Sequence, residues 1–520
     1  MHDLLKDPLI GVRTAQGVRH VSLPELLASL SAGQVENYTG LRAHQADPWH
    51  VFLVQLAASI QARRPTEALP TDAAYWRDGL LDLAEGVAEA WHLVVEDVTK
   101  PAFLQHPDCH GANFKPCADA PDEFDVLFTS KNHDVKSARI RADEPEAWIY
   151  AITTRQTISP YGGGGGTLNG IARMNSGSGS RPIVSWVRDL HPSQRFLDEV
   201  SELRRIRGSI LEARYGYNAT GVVLTWLRPW DHRKHQFFLS DLDPWFVEAP
   251  RLVRLRHEEL TDGIVALQAG TKARQIGPKE SHKGDVGDPW IPITTEGTAL
   301  TITSPGFTPE RLCKLIFKQG IQRSTGLLDP GSSDSYGWLV ASVLSGGNCK
   351  TDGFHRVELP VPPQARMALF NREKRDTLAH LAQKLLSDAK DVQGALGIAL
   401  TVLTEAAPDR LDFKRVASWV KAVRSQFGKQ WDQLYFSTLW RGVEESHDTV
   451  RVDWQQRLVD AGQALLDEGS THLPLPTNRR WRALTQSQSA WRGMLRKGGL
   501  PLPLPGRVAA GRVEPLEKVV

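Results

Sequence analysis

At 520 residues the chain is too long for one ordinary hydrophobic core and is expected to form two to four domains. Its 41% hydrophobic and 23% charged composition is that of a globular protein, and no run of about 18 apolar residues offers a transmembrane helix. A net charge of +2 neither requires nor excludes nucleic acid, and four scattered cysteines argue against a disulfide framework. With no apolar signal core after Met1, the expected compartment is the cytoplasm. Sixteen tryptophans are many, and they are expected to divide between the core and exposed contact positions.

Ile10 to Val21 predicts a short hairpin. Leu23 to Leu30 predicts a helix with Ser22 as N-cap and Pro24 in its first turn. Apolar residues at Val51, Phe52, Val54, Leu56 and Ile60 predict a buried helix over Trp49 to Arg63. Val126 to Thr129 reads as a strand entering a polar loop. Trp148 to Ile152 reads as a helix or strand running toward a set of glycines, and Ile183 to Val187 as a core segment beyond them. Val222 to Leu227 and Leu300 to Thr303 read as strands.

After Pro360, Pro362 and Pro363 the pattern turns helical. Leu378, Leu381, Leu385 and Leu386 share one face, as do Leu396, Leu400 and Leu403. Val416, Trp419, Val420, Val423 and Phe427 make a third stripe, and Leu484, Trp491 and Leu495 mark a late helix. The expected fold class is α+β: a mixed α/β domain over residues 1–363, a four-helix bundle over 364–500, and an extended tail over 501–520. No internal repeat is evident.

The strongest local signal is the run from Ser159 to Thr167, which holds Gly162, Gly163, Gly164, Gly165 and Gly166. Five residues without Cβ expose bare backbone N–H groups that can approach a phosphate or a base-pair edge closely. No Gly-Lys-Ser or Gly-Lys-Thr follows, so it is not a phosphate loop of the nucleotide hydrolases. Asn169, Arg173, Asn175 and Arg181 continue it with donors suited to nucleic acid. The plain alternative is a flexible linker.

A second signal, Phe128 to Lys136, gathers Lys131, Asn132, His133 and Lys136 behind a short strand. Alone it also reads as a solvated turn. Ser345 to Gly353 is a tight polar turn, and Lys272, Arg274, Lys279, His282 and Lys283 form a basic loop. From Thr471 to Arg512 there are eight basic residues and no acid. Arg479, Arg480 and Arg482 there are candidate phosphate contacts, set against a simply solvated tail. His106, Cys109, His110, Cys117 and His133 raise a metal site or an HNH-type nuclease. Zinc-finger spacing, Gly-x-Ser-x-Gly and His-Glu-x-x-His are all absent from the sequence, and no familiar active site is expected.

Taken in order, these pieces resemble the large subunit (CasA) of the type I-E CRISPR Cascade complex. The resemblance rests on Leu-x-x-Pro-Leu-Ile-x-Val from Leu5 to Val12, on Ser22 to Leu27, and on Glu36-Asn37-Tyr38-Thr39-Gly40-Leu41-Arg42. The helix at Trp49, the polar loop, the glycine run, the late Gly-Gly turn and the C-terminal helices complete it. It implies a non-catalytic subunit without cofactor, whose partners are a guide RNA, other Cascade subunits, double-stranded target DNA and a recruited helicase-nuclease. The mid-chain cysteine cluster of some family members has no counterpart here, so no zinc is expected. It implies recognition of a protospacer-adjacent motif from the minor groove by Gly162 to Gly166. Phe128, Lys131, Asn132 and His133 would stand at the motif and the guide end. Asn348, Lys350 and Thr351 would occupy the wedge that starts unwinding, and Lys272 or Lys279 would supply a lysine contact. The family's wedge glutamine has no counterpart here. A metal-dependent HNH-like nuclease and a purely structural scaffold stand as alternatives.

Overall fold

The computed structural model describes residues 2–125, 144–158, 162–164, 167–169, 182–258, 263–277, 283–323, 337–347, 350–405, 418–472 and 477–503. Two compact units emerge: Met1–Phe307 with Gly320–Val361, and Thr308–Gln319 with Pro362–Val520. The expected first domain ran unbroken to residue 363. The short helix at residues 309–316 belongs instead with the C-terminal helices, because its apolar side chains Leu312, Leu315 and Ile316 need a helical surface to cover them.

In the first unit, β1 (Ile10–Thr14) and β2 (Gly17–Val21) form the anticipated hairpin, and β3 (Asn37–Tyr38) adds to β1. Helix α1 (Leu23–Ser31) starts at Ser22, whose backbone N–H donates to Glu25 Oε2 at 2.8 Å in a capping box. Helix α2 (Ala43–Arg63) begins six residues earlier than the apolar pattern suggested and carries Pro48 within it. Its opening is polar, with His44, Gln45 and Asp47, yet all three are buried by partners distant in sequence. Helix α3 (Ala73–Leu83) packs on α1 and α2.

Helix α2 is the axis of this unit. It is buried nearly all round, against α5 (Pro145–Thr157), α6 (Pro192–Glu212) and β9 (Leu242–Val247), with a short α4 (Pro121–Phe124) lying on α5. Trp49 stacks on Phe52 at 5.5 Å and meets Tyr150 edge-on at 5.1 Å. Trp91 and Trp226 cross edge-on at 6.2 Å. The abundance of tryptophan is therefore largely a matter of core.

Two expected strands differ. β8 (Val222–Leu224) stops three residues early and gives way to a 3₁₀ turn over Thr225–Leu227. The Thr225 hydroxyl both donates to Val247 O and accepts from Ala249 N–H, each at 3.0 Å, and so draws the chain out of the ladder. Leu300 to Thr303 is not a strand. Only Ala299 bridges Ile293, and Leu300 N–H donates to Pro292 O at 2.9 Å before the chain turns at Pro305 and Gly306. The strand expected at Val126 to Thr129 lies outside the described residues.

In the second unit α7 (Pro309–Ile316) and α8 (Pro363–Phe370) accompany four long helices: α9 (Arg372–Glu405), α10 (Ser418–Arg441), α11 (His447–His472) and α12 (Thr477–Lys497). Helix α9 touches the other three and unites the two leucine stripes on one buried side. Trp454 Nε1 donates to Leu385 O at 3.0 Å, and Ser487 Oγ to Ala399 O at 2.8 Å. Val416 of the third stripe lies outside the described residues. No helix among the described residues is long and apolar enough to cross a membrane.

Candidate nucleic-acid interface

Helix α5 sits between the two segments singled out for recognition, residues 126–143 before it and the glycine run after it. At about 1.5 Å per residue its 13 residues span about 20 Å. Both ends are fixed by side chains that sequence reasoning missed. Before the polar segment, Asp125 is buried and meets His44 Nε2 at 2.6 Å and Gln45 Nε2 at 2.7 Å. After it, Glu146 accepts Gly11 N–H at 2.7 Å and the Tyr150 hydroxyl at 3.0 Å. At the far end of α5, Gln156 donates to Leu104 O at 2.9 Å and Arg251 O at 3.1 Å, and accepts Arg251 N–H.

The Glu146 carboxylate explains a glycine in the Asn37-Tyr38-Thr39-Gly40 segment. A Cβ on Gly40 would stand 2.4 Å from Glu146 Oε2 and 2.6 Å from its carboxyl carbon, closer than real contacts allow. Gly40→Ala is expected to destabilise the first unit by about 1–3 kcal/mol, through displacement of Glu146 from Gly11. Urea unfolding would check this, and a variant as stable as the parent would refute it.

Beyond α5 the glycine run is part strand. β5 (Gly162–Gly164) pairs antiparallel with β6 (Thr167–Asn169), Gly163 opposite Leu168. In a two-stranded sheet each strand keeps one hydrogen-bonding edge turned away from its partner. A glycine strand therefore offers a backbone edge with no side chain over it. Gly165 and Gly166 lie outside the described residues.

Further along the chain, β7 (Pro182–Val187) pairs with β14 (Gly337–Gly347), itself in a long hairpin with β15 (Lys350–Val361). Pro182 stands opposite Val343. The hairpin runs four residues further to Gly347 and Lys350, about 14 Å at roughly 3.4 Å per residue. The start of β7 and the hairpin end that carries Lys350 and Thr351 thus lie at the same end of one sheet. Near that end the register shifts at Ser345/Gly346 and Gly353 adopts φ +152°, a bulge that increases twist and re-aims the tip. Ser345 Oγ donates to Gly353 O at 3.1 Å across it. Lys350 and Thr351 open β15, and Asn348 lies outside the described residues.

The hairpin is keyed to the helices by buried charge. Arg195 on α6 is 6% exposed, Asp47 on α2 is 1% and Glu199 on α6 is 0%. Arg195 Nη1 meets Asp47 Oδ1 at 2.7 Å, and its Nε meets Glu199 Oε1 at 3.0 Å. Arg356 on β15 reaches Asp47 Oδ2 at 3.0 Å. His50 Nε2 and Trp290 Nε1 close the network on Glu199 Oε2 at 2.9 and 2.8 Å. A polar cluster inside an otherwise apolar helix, His44, Gln45, Asp47 and His50, was the signal that could have found it.

Burial pushes both carboxyls upward, but Arg195 with Arg356 overcomes this at Asp47, and Arg195 with His50 at Glu199. Glu199 is held down at about 2 and Asp47 lower still. Burial and Arg195 push His50 below its ordinary value against the pull of Glu199, so the neutral ring donates Nε2–H. All three groups bind protons more readily in the unfolded chain, so stability rises with pH. The His50 contribution is complete above about 6.5 and is lost as pH falls below that value. The carboxylate contribution is complete above about 4.3 and is lost as pH falls toward 2. The urea midpoint of the first unit is expected to fall in these two stages, and His50→Gln to shrink the upper one. A midpoint unchanged from pH 7 to pH 3 would sink the prediction.

Solved structures share this architecture over nearly its whole length. Cse1 from Acidimicrobium ferrooxidans superposes with a TM-score of 0.63 at 16% identity, covering 96% of this chain and 98% of that one. CasA from Thermus thermophilus gives 0.64 at 15% identity, covering 95% and 99%. This chain has the fold of the Cse1 (CasA) proteins. A chain of a CRISPR RNA-guided surveillance complex gives 0.54 at 12% identity, covering 94% and 99%. No family model and no curated protein matches the sequence.

On this Cse1 fold the other candidates are dispersed. Lys272 is exposed on the loop after β11 (Ile264–Ala269), and its backbone N–H donates to His232 O at 2.7 Å. That contact lays it beside the exposed Arg233 and Lys234, the latter 3.8 Å from Asp231. Lys279, Phe128, Lys131, Asn132 and His133 lie outside the described residues. Arg479, Arg480 and Arg482 are exposed at the start of α12, in the other unit. His106 is buried, with Nε2 2.7 Å from Ala249 O, while Cys109 and Cys117 are exposed. Among the described residues no three His, Cys, Asp or Glu side chains converge as a metal site.

Proposed function

We propose that this chain is the large, non-catalytic subunit of an RNA-guided CRISPR Cascade complex. In this reading it recognises a short protospacer-adjacent motif in double-stranded DNA through the minor groove and starts unwinding for the guide to pair. It partners a guide RNA and other Cascade subunits and helps recruit the helicase-nuclease. The observation that carries the proposal is the Cse1 fold over nearly the whole chain, on which the sequence places a glycine strand and a long hairpin that overhangs its sheet.

The physics suits those parts. The minor groove displays a degenerate pattern, which suits a short, permissive motif, and a strand edge without Cβ atoms fits a narrow groove. A long hairpin anchored by buried charge can press on a base step without yielding, with Lys350 and Thr351 near its tip. Lys272 or Lys279 would add a phosphate or base contact. Phe128, Lys131, Asn132 and His133 would face the motif and the guide end, and Arg479, Arg480 and Arg482 the displaced strand.

The test is co-purification with guide RNA, followed by selection from a duplex library by complexes assembled with and without this chain. Selection of one short motif only when the chain is present is the expected result. Equal selection without it would overturn the proposal. Metal-dependent duplex cleavage by the purified chain, abolished by His133→Ala, would replace it with the nuclease reading.

A further inference from the structure

We infer that the outer face of α12 is a site for an unpaired polynucleotide strand, with Trp481 stacking on a base and Arg492 and Arg496 holding phosphates. This rests on the displaced-strand role proposed above for this helix and goes beyond it in naming a base-stacking residue, Trp481, and two further phosphate contacts, Arg492 and Arg496. Trp481 is 80% exposed and is the only exposed tryptophan among the described residues. Trp491, ten residues further along the same helix, is fully buried. The inner face of α12 is supplied by Ala483, Ser487, Trp491 and Leu495, so Trp481 has no part in closing the bundle.

Helical spacing aligns Trp481, Thr485, Gln488, Arg492 and Arg496 as one stripe, at i, i+4, i+7, i+11 and i+15. Trp481 and Arg492 stand about 16 Å apart along the axis, and Arg492 and Arg496 about 6 Å apart. Helix α12 contains six Lys or Arg and no acid. Neither Arg492 nor Arg496 is ion-paired with a described residue. Gln488 of the stripe donates to Asp467 at 3.2 Å, and Asp467 also accepts from Gln463 at 2.8 Å.

The chemistry favours a strand over a protein partner. A tryptophan hot spot for protein is normally ringed by apolar contacts that exclude water. Here its companions on the face are a hydroxyl, an amide and arginines. An exposed indole with cations spaced along a line is the arrangement that binds bases by their faces and the backbone by charge, without sequence readout.

The experiment uses the full-length chain and oligonucleotides of about 15 residues: dT, U, and an abasic phosphodiester of the same charge. Trp481→Ala is expected to weaken dT or U binding by about 5- to 150-fold, with Trp481→Phe retaining most of the affinity. Binding of the abasic strand should not change. Arg492→Gln is expected to reduce the slope of log affinity against log salt by about 0.7. The dT and U arms distinguish a DNA strand from an RNA strand. Wild-type dT and U affinity in Trp481→Ala would overturn the inference, as would equal weakening of base-bearing and abasic strands. Intact strand binding with failed assembly of the complex would overturn it in favour of a protein interface. Duplex motif selection by the assembled complex is read in parallel and reports on the proposed function alone, so the two fail separately.

Discussion

Replacing Arg195 with methionine is expected to lower the stability of the N-terminal unit by about 3–5 kcal/mol, the usual cost of leaving buried charge without its partner. The reason is its position between two carboxylates that are themselves out of water, Asp47 and Glu199. Methionine fills much of the volume but leaves both acids facing one another. Arg356 still reaches Asp47, and His50 can take up a proton beside Glu199, so the unit weakens rather than losing every contact. Arg195→Lys should recover only part of the loss, because an ammonium cannot fork to two carboxylates as a guanidinium does. Urea unfolding followed at a probe in the N-terminal unit measures the change. A loss below about 1 kcal/mol would mean that Asp47 and Glu199 find other compensation.

The second large effect is expected at the glycine strand. Gly163→Val with Gly164→Val should weaken binding of motif-bearing duplex by the assembled complex about 10- to 100-fold, within the 1–3 kcal/mol typical of one misread base pair. Valine is a good strand former, so pairing of Gly163 with Leu168 and of Gly164 with Thr167 should survive. What changes is the bare edge, which acquires branched side chains where close approach is proposed. The check is binding to duplexes with and without the selected motif, beside thermal melting of the variant. Undiminished motif binding would return the run to the status of a connector. Equal weakening on both duplexes would indicate a charge or folding effect.

These expectations divide according to what local sequence can encode. The hairpin at Ile10–Val21, the Ser22 cap and the leucine stripes of α9 were legible because each depends on neighbours within a few residues. The start of α2 was not. Its first turns are polar and hold Pro48, and they are buried by Asp125, Arg195 and Arg356, which lie 80 to 309 residues away. The strand expected to continue through Leu227 was ended by the Thr225 hydroxyl bonding to a partner over twenty residues on. The glycines were conspicuous by composition, but that three of them form a strand depends on the pairing partner.

Composition, periodicity and motif order by themselves determined the α+β class, a change to helices near residue 363, and a glycine run suited to close approach. They did so because capping, amphipathic spacing and the lack of a Cβ are properties of a residue and its near neighbours. Only the tertiary structure decided that Gly162–Gly164 pair with Thr167–Asn169 and that β7 joins the long hairpin of β14 and β15. It also decided that Asp47, Arg195, Glu199 and Arg356 tie that hairpin to the helices, and that Trp481 is the one tryptophan among the described residues left largely exposed. Those outcomes follow from pairing and desolvation between distant segments, and no short window of sequence contains both partners.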